Sequence, residues 1–120
     1  MKKLFVDDIR SAPDDTWAIA RTVSAAISAI EVFDFEEIAL DHDISHQVIL
    51  GDMSRSYPCQ ETFTPVAQYI ALKYKNAEKK PKIIIHTSNP AGALRIAGHL
   101  QGFEVERRHQ NPANRLETIL

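Results

Sequence analysis

The chain has 120 residues, 44% of them hydrophobic, which is enough for one domain with a real core over residues 1–120. A formal charge of −2 argues against the broad positive surface that holds nucleic acid through many phosphate contacts, but is compatible with a small phosphate-containing ligand. The single cysteine, Cys59, excludes an internal disulfide, no apolar run nears the roughly 20 residues that span a bilayer, and aspartates interrupt the N-terminus early, so a cytoplasmic protein is expected.

Leu4-Phe5-Val6 is a short apolar run ending in Asp7-Asp8, as a buried parallel strand would. Residues 11–15 contain Pro13 and read as loop, and Trp17–Val23 reads as a second strand. Between them lies less chain than a parallel crossover with a helix requires, so the second strand either runs antiparallel or is reached by an extended linker. From Ser24 to Phe33, apolar residues recur at helical spacing, with Thr22 or Ser24 as the N-cap. Glu37–Leu40 is a third strand, ending in Asp41-His42-Asp43. Residues 45–62 show no sustained period and form a long loop, a feature often tied to function.

Thr64-Pro65 opens a second helix, with Thr64 capping and Val66, Tyr69, Ile70 and Tyr74 on the buried stripe. Ile83-Ile84-Ile85 is β-branched throughout and predicts a central strand ended by His86. Asn89-Pro90 repeats the cap-then-proline signal, for a helix using Leu94, Ile96, Ala97 and Leu100 and stopped by Gly102. Phe103–Glu106 alternates as a fifth strand, and Leu116, Ile119 and Leu120 allow a short terminal helix. Strands alternating with helices imply a three-layer α/β sandwich around a mostly parallel five-stranded sheet.

In such a sheet, the loops beyond the carboxyl ends of the strands share one edge. Asp8, Asp41 and His86 should therefore meet in one crevice. Asp7, Asp8, Asp41 and Asp43 would repel one another there unless a cation or shared protons offset their charge, and all-oxygen ligation favours Mg²⁺ or Mn²⁺. Recruitment of His42 or His86 would move the preference toward Mn²⁺ or Zn²⁺. The same acids could instead cap loops, Asp43 in particular. His42 and His86 are candidates for proton transfer, because imidazole titrates near working pH. Ser88 and Asn89 stand at a helix start, where free N–H groups favour an anion, although Asn89 also suits a plain N-cap. Gly92 would admit a close approach of ligand or backbone. Arg10 could grip a phosphate with its fork or pair with Asp41 or Asp43. Trp17 suits either the core or a stacked base. Lysines 73, 75, 79, 80 and 82 read as a solvated helix end or an RNA contact.

Asp7-Asp8-Ile9-Arg10, Trp17, Leu40-Asp41-His42-Asp43 and His86-Thr87-Ser88-Asn89-Pro90-Ala91-Gly92 occur in this order over nearly the whole chain. The set resembles the cyclic-phosphate processing receiver family, a divergent branch of response-regulator receiver domains. The resemblance implies a receiver-like, flavodoxin-like fold, from which this chain departs in that the helix expected after the first strand is reduced or missing. It also implies a pocket that binds, and in one reading hydrolyses, a cyclic phosphate. In that reading Asp7, Asp8 and Asp41 hold the metal, His42, His86 and Asp43 are catalytic, and Arg10, Ser88, Asn89 and Gly92 hold the phosphate. Ordinary receivers use a lysine after the fifth strand, where this chain reads Glu104-Val105-Glu106-Arg107-Arg108. That departure weighs against a phosphorylation switch at Asp41 and leaves a non-catalytic interaction or regulatory module as the alternative.

Overall fold

A computed structural model describes residues 2–42, 62–87 and 89–108. Along the chain run β1 (Lys3–Val6), β2 (Trp17–Ala20), α1 (Val23–Val32), β3 (Glu37–Leu40), α2 (Thr64–Lys73), β4 (Lys82–Ile85), α3 (Pro90–His99) and β5 (Val105–Arg107). The sheet order is β2-β1-β3-β4-β5, and every neighbouring pair is parallel. The chain first moves from β1 to one edge, then returns past β1 to build the other side. The order thus reverses between β1 and β3, the place where open α/β sheets leave a crevice beyond their carboxyl ends.

Of the two routes open to the second strand, the extended linker is the one taken. Residues 7–16 contain no helix, and at roughly 3.3 Å per extended residue they can run back past a four-residue strand with length to spare. The loop is pinned by its own side chains. Asp7 Oδ1 accepts the N–H groups of Ile9 and Arg10, while Arg21 Nη1 donates to the carbonyls of Asp7 and Arg10.

Alternation along each strand divides the core. Leu4, Val6, Ile38, Leu40, Ile83 and Ile85 face α1, α2 and α3 and pack with Ala26, Ile30, Val66, Ala67, Ile70, Ala93 and Ile96. Phe5, Ala39 and Ile84 face the other way and form a smaller cluster with Trp17 and Ala12. All the described helices therefore lie on one face of the sheet. Trp17 is a core residue, edge-on to Phe5 and beneath the Lys3 ammonium.

Local chemistry sets the element ends. β2 stops at Ala20, short of Val23, because Thr22 is the N-cap of α1 and accepts the Ala25 N–H. The cap of α2 is Phe63, without a side-chain bond, and Thr64 is already helical, so the threonine cap expected there is absent. In α3, Asn89 caps as expected, but Leu94 is exposed and the buried stripe is Gly92, Ala93 and Ile96. Positions 93, 96 and 100 lie on one helical face, and 94 is a step of about 100° off it. Gly102 takes φ 92°, the left-handed conformation that ends the run beyond α3. β5 begins two residues later than the alternation suggested, with Phe103 packed against the core instead.

Candidate functional site

The hydrogen-bond ladder continues one residue past three strands. Asp7 N–H donates to Ala20, Asp41 N–H to Val6 and His86 N–H to Leu40, so Asp7, Asp41 and His86 form a single row across β1, β3 and β4. By alternation that row shares a face with Phe5, Ala39 and Ile84. Asp8 joins it: Asp7, Asp8 and Asp41 each offer a carboxylate oxygen within 4.8 Å of the others, and all three are buried.

Asp7 is the most heavily bonded of the three. Besides the two N–H groups on Oδ1, its Oδ2 accepts from Arg10 Nη1 at 3.2 Å and meets His86 Nε2 at 3.0 Å. Burial opposes its charge, but the His86 bond and the Arg10 and Ile9 N–H groups outweigh it and hold the carboxyl well below the usual range. Asp41 goes the other way. Burial and the charge of Asp7 push its pKa up, against the opposing influence of Arg10, His86 and the His42 N–H, which donates to Asp41 Oδ1 at 2.7 Å. Arg10 Nη1 lies 3.0 Å from Asp41 Oδ2, so one guanidinium nitrogen bridges both aspartates.

His86 lies flat on Phe5, with centroids 4.6 Å apart and planes within 10°. With Asp7 held ionised, Nε2 is the donor of that pair. Nδ1 is buried and has no hydrogen-bond partner among the described residues. His42 is buried too, and its imidazole packs on the first turn of α3 at Gly92. Asn89 Oδ1 accepts the Gly92 N–H at 3.0 Å, and Thr87 Oγ1 accepts the Asn89 N–H at 3.1 Å.

The structure thus joins Asp7, Asp8, Asp41, Arg10 and His86 in one cluster and sets His42, Asn89 and Gly92 together at the start of α3. Asp43 and Ser88 lie outside the described residues. Three contributors were not singled out from the sequence: Phe5, Arg21 and Thr87. Arg21 stands just after β2, the position that Asp7 occupies after β1, which is the signal that could have found it. The lysines are largely engaged within the chain: Lys73 on the Ile30 and Phe33 carbonyls, Lys80 on that of Ala77, Lys82 on Glu106.

The donor set fits a hard divalent cation. Three buried carboxylates in close reach supply the oxygens Mg²⁺ prefers.

Residues 2–102 match the family model described as the cyclic-phosphate processing receiver domain. A solved structure, a response regulator receiver domain protein (CheY-like) from Methanospirillum hungatei JF-1, superposes with a TM-score of 0.56 at 16% identity, covering 98% of this chain and 89% of that one. At that identity it speaks for the fold. Comparison with curated proteins gives no match. With the motif order, the acidic row and the family match in agreement, the chain belongs to the cyclic-phosphate processing receiver family.

Proposed function

We propose that this domain binds a cyclic phosphodiester, on a nucleotide or an RNA end, and hydrolyses it with the help of a divalent metal ion. The observation that carries the reading is the row of Asp7, Asp41 and His86 with Asp8 beside it, in a chain of this family. Asp8 and Asp41 as principal ligands, joined by Asp7, would hold the ion, which when bound supplies Lewis-acid polarisation of a phosphoryl oxygen and a more acidic water. Arg10 would take the phosphate oxygens, aided by the positive end of the α3 dipole and by Ser88 and Asn89 as the motif suggests.

Ring opening adds water across one P–O bond, so one proton leaves the water and one reaches the departing sugar oxygen. His86 Nδ1 is suited to take the first, because Asp7 fixes the tautomer through Nε2. His42 would deliver the second, with Asp43 in support. Incubation with a panel of cyclic nucleotides and 2′,3′-cyclic-ended RNA, with and without Mg²⁺ or Mn²⁺, checks this by ³¹P spectra. A new phosphomonoester signal, lost in His86→Gln, is expected; absence of both binding and turnover across the panel would sink the proposal.

The Arg10 bridge between Asp7 and Asp41 favours a second reading, a non-catalytic interaction or regulatory module whose acidic cluster is neutralised internally. Binding without turnover, unchanged in His86→Gln, is the outcome that supports it.

A further inference from the structure

A cation already stands in the acidic row. Arg10 Nη1 is 3.2 Å from Asp7 Oδ2 and 3.0 Å from Asp41 Oδ2. The other oxygens are occupied as well, Asp7 Oδ1 by two backbone N–H groups and Asp41 Oδ1 by that of His42. A divalent ion drawn to Asp7 and Asp41 would compete for the same Oδ2 atoms and meet a guanidinium of like charge at contact distance.

The hold on Arg10 is also a loose one. Its contacts to the aspartates use one nitrogen, not the two-pronged geometry that makes arginine pairs strong, and Nε is buried without a partner among the described residues. Its backbone N–H stays anchored on Asp7 Oδ1 whatever the side chain does. The guanidinium can therefore leave by rotation of its own side chain and turn its fork to another anion.

We infer that Arg10 is a resident counter-cation that competes with a divalent ion for the space between Asp7 and Asp41, and that entry of the ion releases its guanidinium toward the phosphate. The second half rests on the phosphate-binding reading above; the first half does not. Exclusion makes the metal site weak by itself, and release makes metal and phosphate each strengthen the other's binding, since such coupling is reciprocal.

The test uses Mn²⁺ alone, with free ion followed by electron paramagnetic resonance on the wild type and Arg10→Met. Arg10→Met is expected to bind at least about tenfold more tightly, a gain of roughly 1.4 kcal/mol. Equal or weaker binding, or none by either protein, overturns the inference. Should Arg10→Met not fold, the wild type answers through the Arg10 Nε–H resonance in a Mg²⁺ titration: a shift that follows metal occupancy supports competition, and a stationary signal overturns it. With inorganic phosphate as probe, saturating Mg²⁺ should strengthen binding more in the wild type than in Arg10→Met, and equal strengthening overturns the release. None of these arms uses a cyclic phosphate, so a failed cyclic-phosphate panel and a failed Arg10 experiment are told apart.

Discussion

Gly92 is in contact with the ring of His42: a Cβ built on the glycine would sit 2.4 Å from both Cγ and Nδ1 of the imidazole. No side chain fits there without moving His42, whose own Cβ is also close, at 2.9 Å. A glycine inside the first turn of a helix, at a cost of about 0.5–1 kcal/mol relative to alanine, thus has a steric reason.

Gly92→Ala is expected to destabilise the domain by about 1–3 kcal/mol, because the overpacking outweighs the gain in helix propensity. Gly98, in the same helix with nothing within 4 Å of its built Cβ, is the control. Gly98→Ala should stabilise by about 0.5–1 kcal/mol. Urea unfolding of both variants checks the pair, and equal stabilisation by the two would refute the contact.

Asp7 and Asp41 share a cluster but should respond to neutralisation in opposite directions. Asp7→Asn loses acceptor capacity for Arg10 and His86 and is expected to cost about 2–4 kcal/mol at neutral pH. Asp41→Asn relieves burial of a charge beside Asp7 and is expected to raise the metal-free Tm by about 2–5 °C. Its stabilisation by Mg²⁺ should vanish. Thermal melts with and without the ion measure both effects.

The pH dependence follows from the same two shifts. Asp41 has its folded pKa raised, so the fold gains stability as this group is protonated and loses it as pH rises through that value. The Tm advantage of Asp41→Asn should therefore close as pH falls through that raised value. Asp7 has its folded pKa lowered, so its contribution is present above the ordinary carboxylate range and is lost only as pH falls through the depressed value. The deficit of Asp7→Asn should persist to more acid conditions than the Asp41→Asn advantage, and the reverse order would contradict the assignment.

Arg21 ties the loop that replaces a helix. Its Nη1 donates to the carbonyls of Asp7 and Arg10 at 3.2 and 2.5 Å. Arg21→Ala is expected to cost about 1–3 kcal/mol and to speed amide exchange in residues 7–16 more than in α2. Uniform exchange across the two would show that the arginine does not act on the loop.

Tyr74 donates its hydroxyl to Asp34 at 2.9 Å, and burial followed by that carboxylate pushes the phenol up to about 12. Ultraviolet titration should find one of the chain's three tyrosines ionising there, and Tyr74→Phe should abolish that step at a cost of about 1 kcal/mol.

Much of this was legible along the chain. The Ile83–Ile85 run, the acids after Val6 and Leu40, and the Asn89-Pro90 cap are local signals, since a strand's apolar pattern and a cap's hydrogen bond involve neighbours in sequence. They were sufficient for the receiver-like sheet and for the expectation that Asp8, Asp41 and His86 stand at its carboxyl edge. Leu94 shows the limit: hydrophobicity marks a residue as able to be buried, but the rotation of α3 on the sheet sets which face is.

What only the tertiary structure decided is pairing. The direction of β2, the hold of Arg10 on Asp41, the stacking of His86 on Phe5 and the contact of His42 with Gly92 all join residues far apart in the chain. The residues that supply carboxylate, imidazole and guanidinium could be named from the sequence. Which of them neutralise one another depends on distances of a few ångströms across β1, β3 and β4, and no local pattern encodes those.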